Sequence, residues 1–427
     1  MTSHLAPRAE SIPGPDALSA AETGPGADAA APPLQLYLHV PFCEKKCHYC
    51  DFASWELPAV QQRRWTETVL RELEAKAGEA RGRKVDTVFF GGGTPSLLAS
   101  EFLRQVVEAM GKHYDLSAVR EMSLECNPSS LNREKLDLYH ALGFGRVSLG
   151  IQSFHAHELA LLGRVHTVET AARALETMAS DGRFQFSGDL IFGVPGQTRE
   201  SFLESLGRLV GFGPDHVSFY GLTIEDGTEF ARRRDAGLLS LPEDGSYNRM
   251  YQDGAELLER AGYLRYEVSN FSRPGQTCRH NQGYWNGAEY LAFGPGAHGF
   301  FAGRRMVSPR DFEGYIAWGA AGFPEDACVV EVLGAEERLS EAVLLGLRQA
   351  AGVDLEALRR GFGFTVGEDV LGKWRAVGML EQEGALPGRK GALPGPEGAT
   401  IRLVGDGWLF LDEIGADLLA RGKWLRG

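Results

Sequence analysis

Six short, almost continuous apolar runs recur along the first part of the chain, at 35–40, 87–92, 121–126, 146–152, 187–193 and 216–223. Runs of this kind are typical of strands that are buried on both faces of a parallel sheet. The segments between them show helical spacing, as with Trp65, Val69 and Leu73, which stand four residues apart. Six strand–helix units in succession predict an α/β fold, a partial (β/α)₆ barrel over residues 34–240.

The alternation fades after residue 240. Residues 241–330 indicate a helix, a strand and a glycine-rich segment, which we interpret as an extension of the barrel. In 331–427, three helical stretches precede "TIRLVGDGWLFL", which predicts a hairpin that turns at Gly405–Asp406–Gly407, and then a last helix. We therefore expect a small C-terminal winged-helix-like domain, with the duplicated "GALPG" at 384–388 and 391–395 as a flexible insertion before the wing.

Residues 1–33 contain almost no large apolar side chains that a hydrophobic core would bury. They are rich in Ala, Pro and Gly, lack the apolar centre of a secretory signal, and their acidic residues and single Arg8 are unlike a mitochondrial transit peptide. We expect them to form a disordered tail.

The composition excludes several classes of function. The net charge of −13 argues against a general nucleic-acid binder, and no run of about 18 apolar residues predicts a membrane span. Six cysteines in 427 residues do not resemble a secreted disulfide framework, so we expect a reducing, cytoplasmic location. Three of them, Cys126, Cys278 and Cys328, are scattered and are expected to be core or near-surface residues.

The other three cysteines, Cys43, Cys47 and Cys50, stand within eight positions directly after the first predicted strand. Each iron of a [4Fe–4S] cluster needs a ligand, so three thiolates from one loop leave one iron open to an exchangeable ligand. A structural zinc site needs four closed ligands, and His39 or His48 offers the fourth. The loop alone leaves both alternatives open.

Polar and glycine-rich residues follow the remaining predicted strands, whose carboxyl ends meet at one mouth in a parallel barrel. "GGGTP" (91–95) allows the backbone to approach a ligand closely, although it also fits a simple tight turn. Further polar residues stand at or near later strand ends: Glu125, Gln152, Arg164, Asp189 and Thr223. Each alone is compatible with a solvated loop position.

The C-x₃-C-x₂-C pattern after the first strand of a (β/α)₆ barrel resembles the radical S-adenosylmethionine (SAM) superfamily. The resemblance implies that Cys43, Cys47 and Cys50 hold a [4Fe–4S] cluster whose open iron is bound by the amino and carboxylate groups of SAM. It also implies SAM contacts from ten residues, namely Tyr37, Tyr49, Gly93, Thr94, Glu125, Gln152, Arg164, Asp189, Thr223 and His298.

Segments such as "FFGGGTPSLL", "RVSLGIQSF", "DLIFGVPGQT" and "CRHNQGYWNGAEYLAFGPGAHG" are similar to the oxygen-independent coproporphyrinogen III oxidase group, from about residue 36 to 300. Its oxidases carry a fourth cysteine two residues after the third, where this chain has Phe52. "HNQGYW" (280–285) instead resembles the H-N-x-x-Y-W signature of the haem chaperones in this group. The resemblance implies a protein that binds haem, passes it to acceptor proteins and lacks the oxidase activity.

The residues of "HNQGYW" also suit haem on chemical grounds. An imidazole can bind haem iron axially, and aromatic faces can stack on a porphyrin. We expect His280 to be the ligand, with Asn281, Tyr284 and Trp285 lining the pocket. Core aromatics and a hydrogen-bonded histidine at a turn are the alternative. His298 is a second candidate ligand, and Cys278 is a third.

The leading hypothesis is a haem chaperone with a [4Fe–4S] cluster and an exchangeable SAM, whose partners are haem and an unidentified haem-acceptor protein. The enzyme alternative is an oxygen-independent coproporphyrinogen III oxidase (dehydrogenase), or another radical SAM enzyme that modifies porphyrins. A zinc-binding barrel protein is a third hypothesis. The sequence does not decide between enzyme and chaperone, and it leaves a homodimer open.

Overall fold

Six parallel strands form the centre of the fold, in the computed structural model that describes residues 33–56, 58–383 and 400–425. Their bounds are β1 Leu34–Val40, β2 Val85–Gly92, β3 Glu121–Cys126, β4 Arg146–Gln152, β5 Gln185–Phe192 and β6 His216–Gly221. All six predicted strands are confirmed, each to within two residues at either end. The predicted tail at 1–33 and the two "GALPG" repeats lie outside the described residues, apart from Pro33.

Helices connect these strands and extend beyond the last one. They are α1 Ala59–Lys76, α2 Ser100–His113, α3 Arg133–Ala141, α4 Ala156–Leu162, α5 Val168–Asp181, α6 Arg199–Gly211, α7 Glu229–Asp235 and α8 Asp244–Arg260. The apolar stripe of α1 is fully buried, since Trp65, Val69 and Leu73 are each 0% exposed. Burial of that stripe packs the helix against the sheet, as its spacing predicts.

Short strands extend the sheet at both edges, to twelve strands in the order β12-β11-β10-β9-β1-β2-β3-β4-β5-β6-β8-β7. The added elements are β7 Leu264–Glu267, β8 Asn270–Ser272, α9 Arg279–Trp285, β9 Tyr290–Phe293, β10 His298–Phe301, β11 Arg304–Val307, α10 Phe312–Ala320 and β12 Val329–Val332. β9 runs parallel to β1, whereas β10, β11 and β12 continue antiparallel. Within the described residues β6 and β1 do not pair, so the barrel is open.

The C-terminal part has a hydrophobic core of its own, which includes Val343, Ile401 and Ile414. Its elements are α11 Ala335–Leu347, β13 Val353–Asp354, α12 Leu355–Phe362, β14 Phe364–Thr365, α13 Glu368–Ala376, β15 Leu380–Glu383, β16 Thr400–Leu403, α14 Leu411–Arg421 and β17 Lys423–Trp424. β13, β16 and β15 form an antiparallel sheet, and β14 pairs with β17.

The hairpin predicted at Gly405–Asp406–Gly407 is wrong. β16 pairs instead with β15, which precedes the "GALPG" repeats, and Gly405–Leu409 forms a 3₁₀ helix. A side chain at Gly407 would place its Cβ 2.0 Å from the carbonyl oxygen of Met379, so this glycine is needed for close packing. The repeats therefore stand between the two strands of the hairpin, not before it. Among the described residues, no helix is long and apolar enough to cross a membrane.

Candidate functional site

The three-cysteine loop is closed at its base at the carboxyl end of β1. The N–H of Cys43 donates to the carbonyl of Trp55, and the N–H of Trp55 donates to the carbonyl of Pro41, both at 2.9 Å. The middle of the loop is fixed by the N–H of His48, which donates to the carbonyl of Leu162 at 3.0 Å. Backbone bonds therefore set the loop's path and leave its thiols free, with Cys43, Cys47 and Cys50 all half-buried.

A cavity of about 530 Å³ opens beside this loop, at the carboxyl ends of the parallel strands. All three cysteines line it, together with eight of the ten residues expected to contact SAM: Tyr49, Gly93, Thr94, Glu125, Gln152, Arg164, Asp189 and Thr223. The structure therefore brings the polar strand ends together with the cysteines, as the barrel geometry predicts.

The glycines after β2 allow two stretches of backbone to lie close together. The N–H of Gly93 donates to the carbonyl of Val40 at 2.8 Å. A Cβ at Gly93 would lie 2.8 Å from the carbonyl oxygen of Phe42 and 2.9 Å from that of Val40. Any side chain here would push the cysteine loop away, so the sequence "GGG" is required to seat that loop against β2.

Gln152, the last residue of β4, has a strained backbone. Its φ is +68°, and the pairing of β4 with β5 shifts register between Gly150 and Gln152. A residue other than glycine in this region costs about 1–3 kcal/mol, and such strain clusters at functional sites. Gln152 lines the cavity on the same side as Ser148 and Gly150, as the alternation along β4 predicts, so the strain lies in its backbone at the point where the strand ends.

Arg164 connects the loop to the strand ends. Its Nη1 lies 3.5 Å from the Sγ of Cys47, and its Nη2 donates to the carbonyl of Gly150 at 2.9 Å and to the side chain of Asn127. Its Nε is buried without a partner in the part of the chain that the structure describes. Sequence analysis missed Asn127, although its place directly after β3, in "ECNP", marks it as another strand-end residue.

Two half-buried carboxyl groups, those of Glu125 and Asp189, give the cavity its electrostatic character. Burial, reinforced by the charge of Asp189, raises the pKa of Glu125 to about 8, against a weaker opposing bond from the N–H of Gly92. Burial also raises the pKa of Asp189, although it accepts hydrogen bonds from Ser148 at 2.9 Å and Ser187 at 3.2 Å. A cationic group in this cavity would stabilise both carboxylates.

Comparison with known proteins places this geometry in a family. Residues 37–209 match the model of the radical SAM superfamily. The chain is 39% identical over 329 residues to the protein named Heme chaperone HemW from Mycobacterium tuberculosis, over 76% of this chain and 84% of that protein. It is 36% identical over 303 residues to Heme chaperone HemW from Escherichia coli, over 66% and 79% of the two chains. The chain belongs to the HemW family.

The HemW-family chain also shares its fold with the solved structure of the coproporphyrinogen III oxidase HemN from Escherichia coli. The TM-score is 0.76, at 20% sequence identity, over 92% of this chain and 91% of that chain. At this identity the likeness concerns the fold alone. The predicted radical SAM α/β fold is thereby confirmed.

The 530 Å³ cavity fits the cofactors of radical SAM proteins. It has three thiols outside any disulfide at one end, a buried arginine nitrogen without a partner among the described residues, and the carboxyl groups of Glu125 and Asp189. Among the described residues, no group of three or more His, Cys, Asp or Glu side chains has the arrangement needed to hold a single metal ion. His39 and His48, the candidates for a fourth zinc ligand, each use a ring nitrogen on a backbone carbonyl, of Ala53 at 2.9 Å and of Leu161 at 2.7 Å.

The HemW-type segment "HNQGYW" forms α9, which lies at the opposite, amino-terminal end of the barrel strands. Glu121, the first residue of β3, accepts hydrogen bonds from the N–H groups of Arg279 and His280, both at 3.0 Å. Gln35, near the start of β1, donates to the carbonyl of His280 at 3.3 Å. The helix is therefore anchored to the starts of the strands, not to the mouth that carries the cysteines.

His280 and Asn281, expected as the haem ligand and a pocket residue, line neither the cysteine cavity nor a second cavity of about 930 Å³ beside it. His280 is 1% exposed, stacks on Phe89 at a centroid distance of 5.1 Å, and burial lowers its pKa to about 3. Asn281 donates to the hydroxyl of Tyr266 at 3.2 Å. Side chains of consecutive residues in a helix point in different directions, so the six residues of "HNQGYW" do not form one surface. Cys278, the third candidate ligand, is buried and lies 3.3 Å from Glu121 Oε1.

The last two residues do reach a cavity. Tyr284 and Trp285 line a space of about 930 Å³, which lies next to the cysteine cavity because Asp51 and Phe52 belong to both walls. Tyr37 and His298, expected at SAM, line this larger cavity instead. Sequence analysis also missed two of its arginines, Arg305 and Arg310, and only the basic character of the "GRRMVSPR" segment could have indicated them.

Proposed function

We propose that this chain is a haem chaperone that holds haem in the 930 Å³ cavity, beside a [4Fe–4S] cluster and SAM in the 530 Å³ cavity. The observation that carries the proposal is the adjacency of the two cavities, which share Asp51 and Phe52 directly after Cys50. The larger space is in the size range of pockets that bury a cofactor-sized ligand. The chaperone names of the relatives at 39% and 36% identity support the same assignment.

Cys43, Cys47 and Cys50 would hold three irons of the cluster, and SAM would complete the fourth. When bound and reduced by an external electron donor, such a cluster would supply one electron to SAM. The half-buried Glu125 and Asp189 suit the amino group and ribose hydroxyls of SAM, and the guanidinium of Arg164 suits its carboxylate. Gly93 and Thr94 would lie nearest the amino group, with Tyr49, Gln152 and Thr223 completing the wall.

Haem would lie against the aromatic faces of Tyr284 and Trp285. The indole Nε1 of Trp285 is buried and has no hydrogen-bond partner among the described residues. His280 and Asn281 contribute indirectly, because they hold the helix that carries these two aromatic residues. An acceptor haemoprotein would take the haem from this cavity.

The chaperone is favoured over the oxidase by Phe52. This side chain stands where the oxidases of the group carry a fourth cysteine, and it is 62% exposed at the wall that both cavities share. A phenyl ring supplies no thiol chemistry to a porphyrin beside it. The oxidase remains the second candidate, because a tetrapyrrole-sized cavity adjoins the cysteine cavity in a chain with the HemN fold.

The test is a haem titration of anaerobically purified protein reconstituted with iron and sulfide, followed by absorption spectroscopy. The same preparation is assayed for coproporphyrinogen III turnover. A Cys43/Cys47/Cys50 triple-alanine variant should lose the cluster, whereas Cys328→Ala, at a thiol outside both cavities, should keep it. Stoichiometric haem uptake, transfer to an apo-haemoprotein and no protoporphyrinogen are expected. SAM-dependent formation of protoporphyrinogen would overturn the chaperone assignment in favour of the oxidase.

A further inference from the structure

The 930 Å³ cavity has two histidines in its wall, and only one of them is free to bind a metal. His39 is 5% exposed, and its two ring nitrogens contact the carbonyl of Ala53 at 2.9 Å and the hydroxyl of Tyr37 at 3.1 Å. His298, the first residue of β10, is exposed, and neither of its ring nitrogens has a hydrogen bond among the described residues. An exposed imidazole with both nitrogens free is what an incoming iron needs.

Two arginines line the same cavity near His298. Partial burial lowers the pKa of the His298 imidazole, and the charges of Arg310 and Arg305 act in the same direction. Arg305 pairs with Glu341 at 2.6 Å, and Arg310 pairs with Asp51. The two guanidinium groups are 40% and 62% exposed, so each can also reach a carboxylate that enters the cavity.

Apolar surface completes the wall. Trp285, Phe300 and Leu345 face the cavity beside the imidazole and the two arginines. Haem presents a broad apolar macrocycle, an iron at its centre and two propionates at one edge. The cavity thus offers one chemical partner to each part of an iron porphyrin.

We infer that His298 supplies the axial imidazole to the haem iron, and that Arg305 and Arg310 bind the propionates. This assignment rests on the proposed function of the same cavity. It replaces His280 as the ligand, because that ring is buried and its two nitrogens lie 2.7 Å from Thr87 Oγ1 and 2.9 Å from the Tyr284 hydroxyl.

Ferric haem is titrated into the reconstituted full-length protein, its His298→Gly and His298→Gln variants, and His157→Ala. His157 lies on α4, is 67% exposed and lines neither cavity, so it is a matched control. Both His298 variants should lose the absorption and EPR features of an imidazole-bound iron and bind haem roughly tenfold or more weakly, as when partners of a metal are removed. Added imidazole should restore the features in His298→Gly, and the affinity for metal-free protoporphyrin IX should change little.

The propionate contacts are tested with haem and its dimethyl ester. Arg305→Gln and Arg310→Gln should each weaken haem binding about two- to fivefold, as expected for partly exposed ion pairs, and leave binding of the ester unchanged. Arg359→Gln, which removes an exposed arginine that lines neither cavity, is the control.

The outcomes separate the two proposals. If the wild-type protein takes up no haem, the proposed function itself fails. If it binds haem and both His298 variants keep the wild-type spectrum and affinity, only the ligand assignment is overturned. Loss of the imidazole features in a folded His280→Asn variant, with His298→Gln unaffected, would assign the iron to His280 instead.

Discussion

The Nε2 atom of His280 lies 2.9 Å from the hydroxyl of Tyr284, one helical turn further along α9. The imidazole is in the core, whereas the tyrosine lines the 930 Å³ cavity. The other ring nitrogen of His280, Nδ1, lies 2.7 Å from the hydroxyl of Thr87 in β2. His280 therefore joins the barrel to a residue of the cavity wall, which makes it a positioning residue.

His280→Ala should lower the free energy of unfolding by about 2–4 kcal/mol, because it leaves a cavity and two buried hydroxyls without partners. Haem should bind more weakly but with an unchanged iron spectrum, since the variant loosens Tyr284 without removing a ligand. Urea unfolding and a haem titration measure the two effects. Thr87→Val, which removes one of the hydrogen bonds, should cost about 1–2 kcal/mol. A changed iron spectrum in His280→Ala would contradict a positioning role.

Gln152→Gly should stabilise the protein without its cofactors and weaken its SAM binding. Glycine relieves the backbone strain at φ +68° in the folded protein, but it loses more conformational entropy on folding than glutamine does. We expect the relief of strain to exceed the entropy cost by about 1 kcal/mol. The amide that faces the cysteine cavity is lost at the same time. Chemical unfolding and calorimetric titration with SAM measure the two changes. Gln152→Asn tolerates this backbone conformation and keeps an amide, so its stability and its SAM affinity should lie between those of the wild type and those of Gln152→Gly. Lower stability of the glycine variant would show that the amide, not the backbone, dominates at this position.

The parallel barrel could be predicted because its signals are local. An apolar run needs burial on both faces, and strand ends of a parallel barrel share one mouth, so Glu125, Gln152 and Asp189 were correctly grouped with the cysteines. The direction of a side chain within a helix depends on partners elsewhere in the chain. The contacts of His280 with Thr87 and Phe89 are of this kind, and no pattern within "HNQGYW" reports them.

The errors in the C-terminal part have the same origin. The segment "GDG" lies in a 3₁₀ helix, and the strand that pairs with β16 comes before residues 384–399 in the sequence. The basic character of the "GRRMVSPR" segment is a weak signal for Arg305 and Arg310, since exposed arginines are common. Only the course of β10 and β11 brings them to the cavity with His298.

Glu125→Gln should change how stability depends on pH. The pKa of Glu125 is raised from 4.5 to about 8, so the folded protein binds a proton here that the unfolded chain releases. The resulting stabilisation is fully present below about pH 4.5 and is lost as the pH rises towards 8, at up to about 1.4 kcal/mol per pH unit. The variant lacks this loss, so its stability relative to the wild type should rise between pH 5 and pH 8.

Urea unfolding of the protein without its cofactors, across that range, measures the difference. Buried imidazoles have the opposite dependence, because a lowered histidine pKa makes stability fall as the pH falls below about 6.5. His39 and His280, with pKa values of about 4 and 3, are present in both proteins, so their effect cancels in the comparison. Glu134→Gln, at an exposed position of α3, is the control. A difference between Glu125→Gln and the wild type that stays constant across this range would mean that Glu125 is already ionised at pH 5.

Haem and SAM should affect each other's binding through Arg310. This guanidinium lines the 930 Å³ cavity and binds both the carboxylate and the backbone carbonyl of Asp51, the residue after Cys50. A haem propionate that takes Arg310 would release Asp51 and loosen the cysteine loop. We therefore expect haem to weaken SAM binding about fivefold, the lower end of measured couplings, since the pair is exposed.

Linkage requires SAM to weaken haem binding by the same factor, so titrations in both orders check the coupling. Arg310→Gln should reduce the factor to one, and Arg64→Gln, which breaks an exposed pair with Glu313 elsewhere on the surface, should leave it intact. Coupling that persists in Arg310→Gln would exclude this path. The predicted sign has a functional consequence, because a cavity that loses affinity for haem when SAM binds would release its cargo in the SAM-bound state. The loop that holds the cluster would then control when haem leaves.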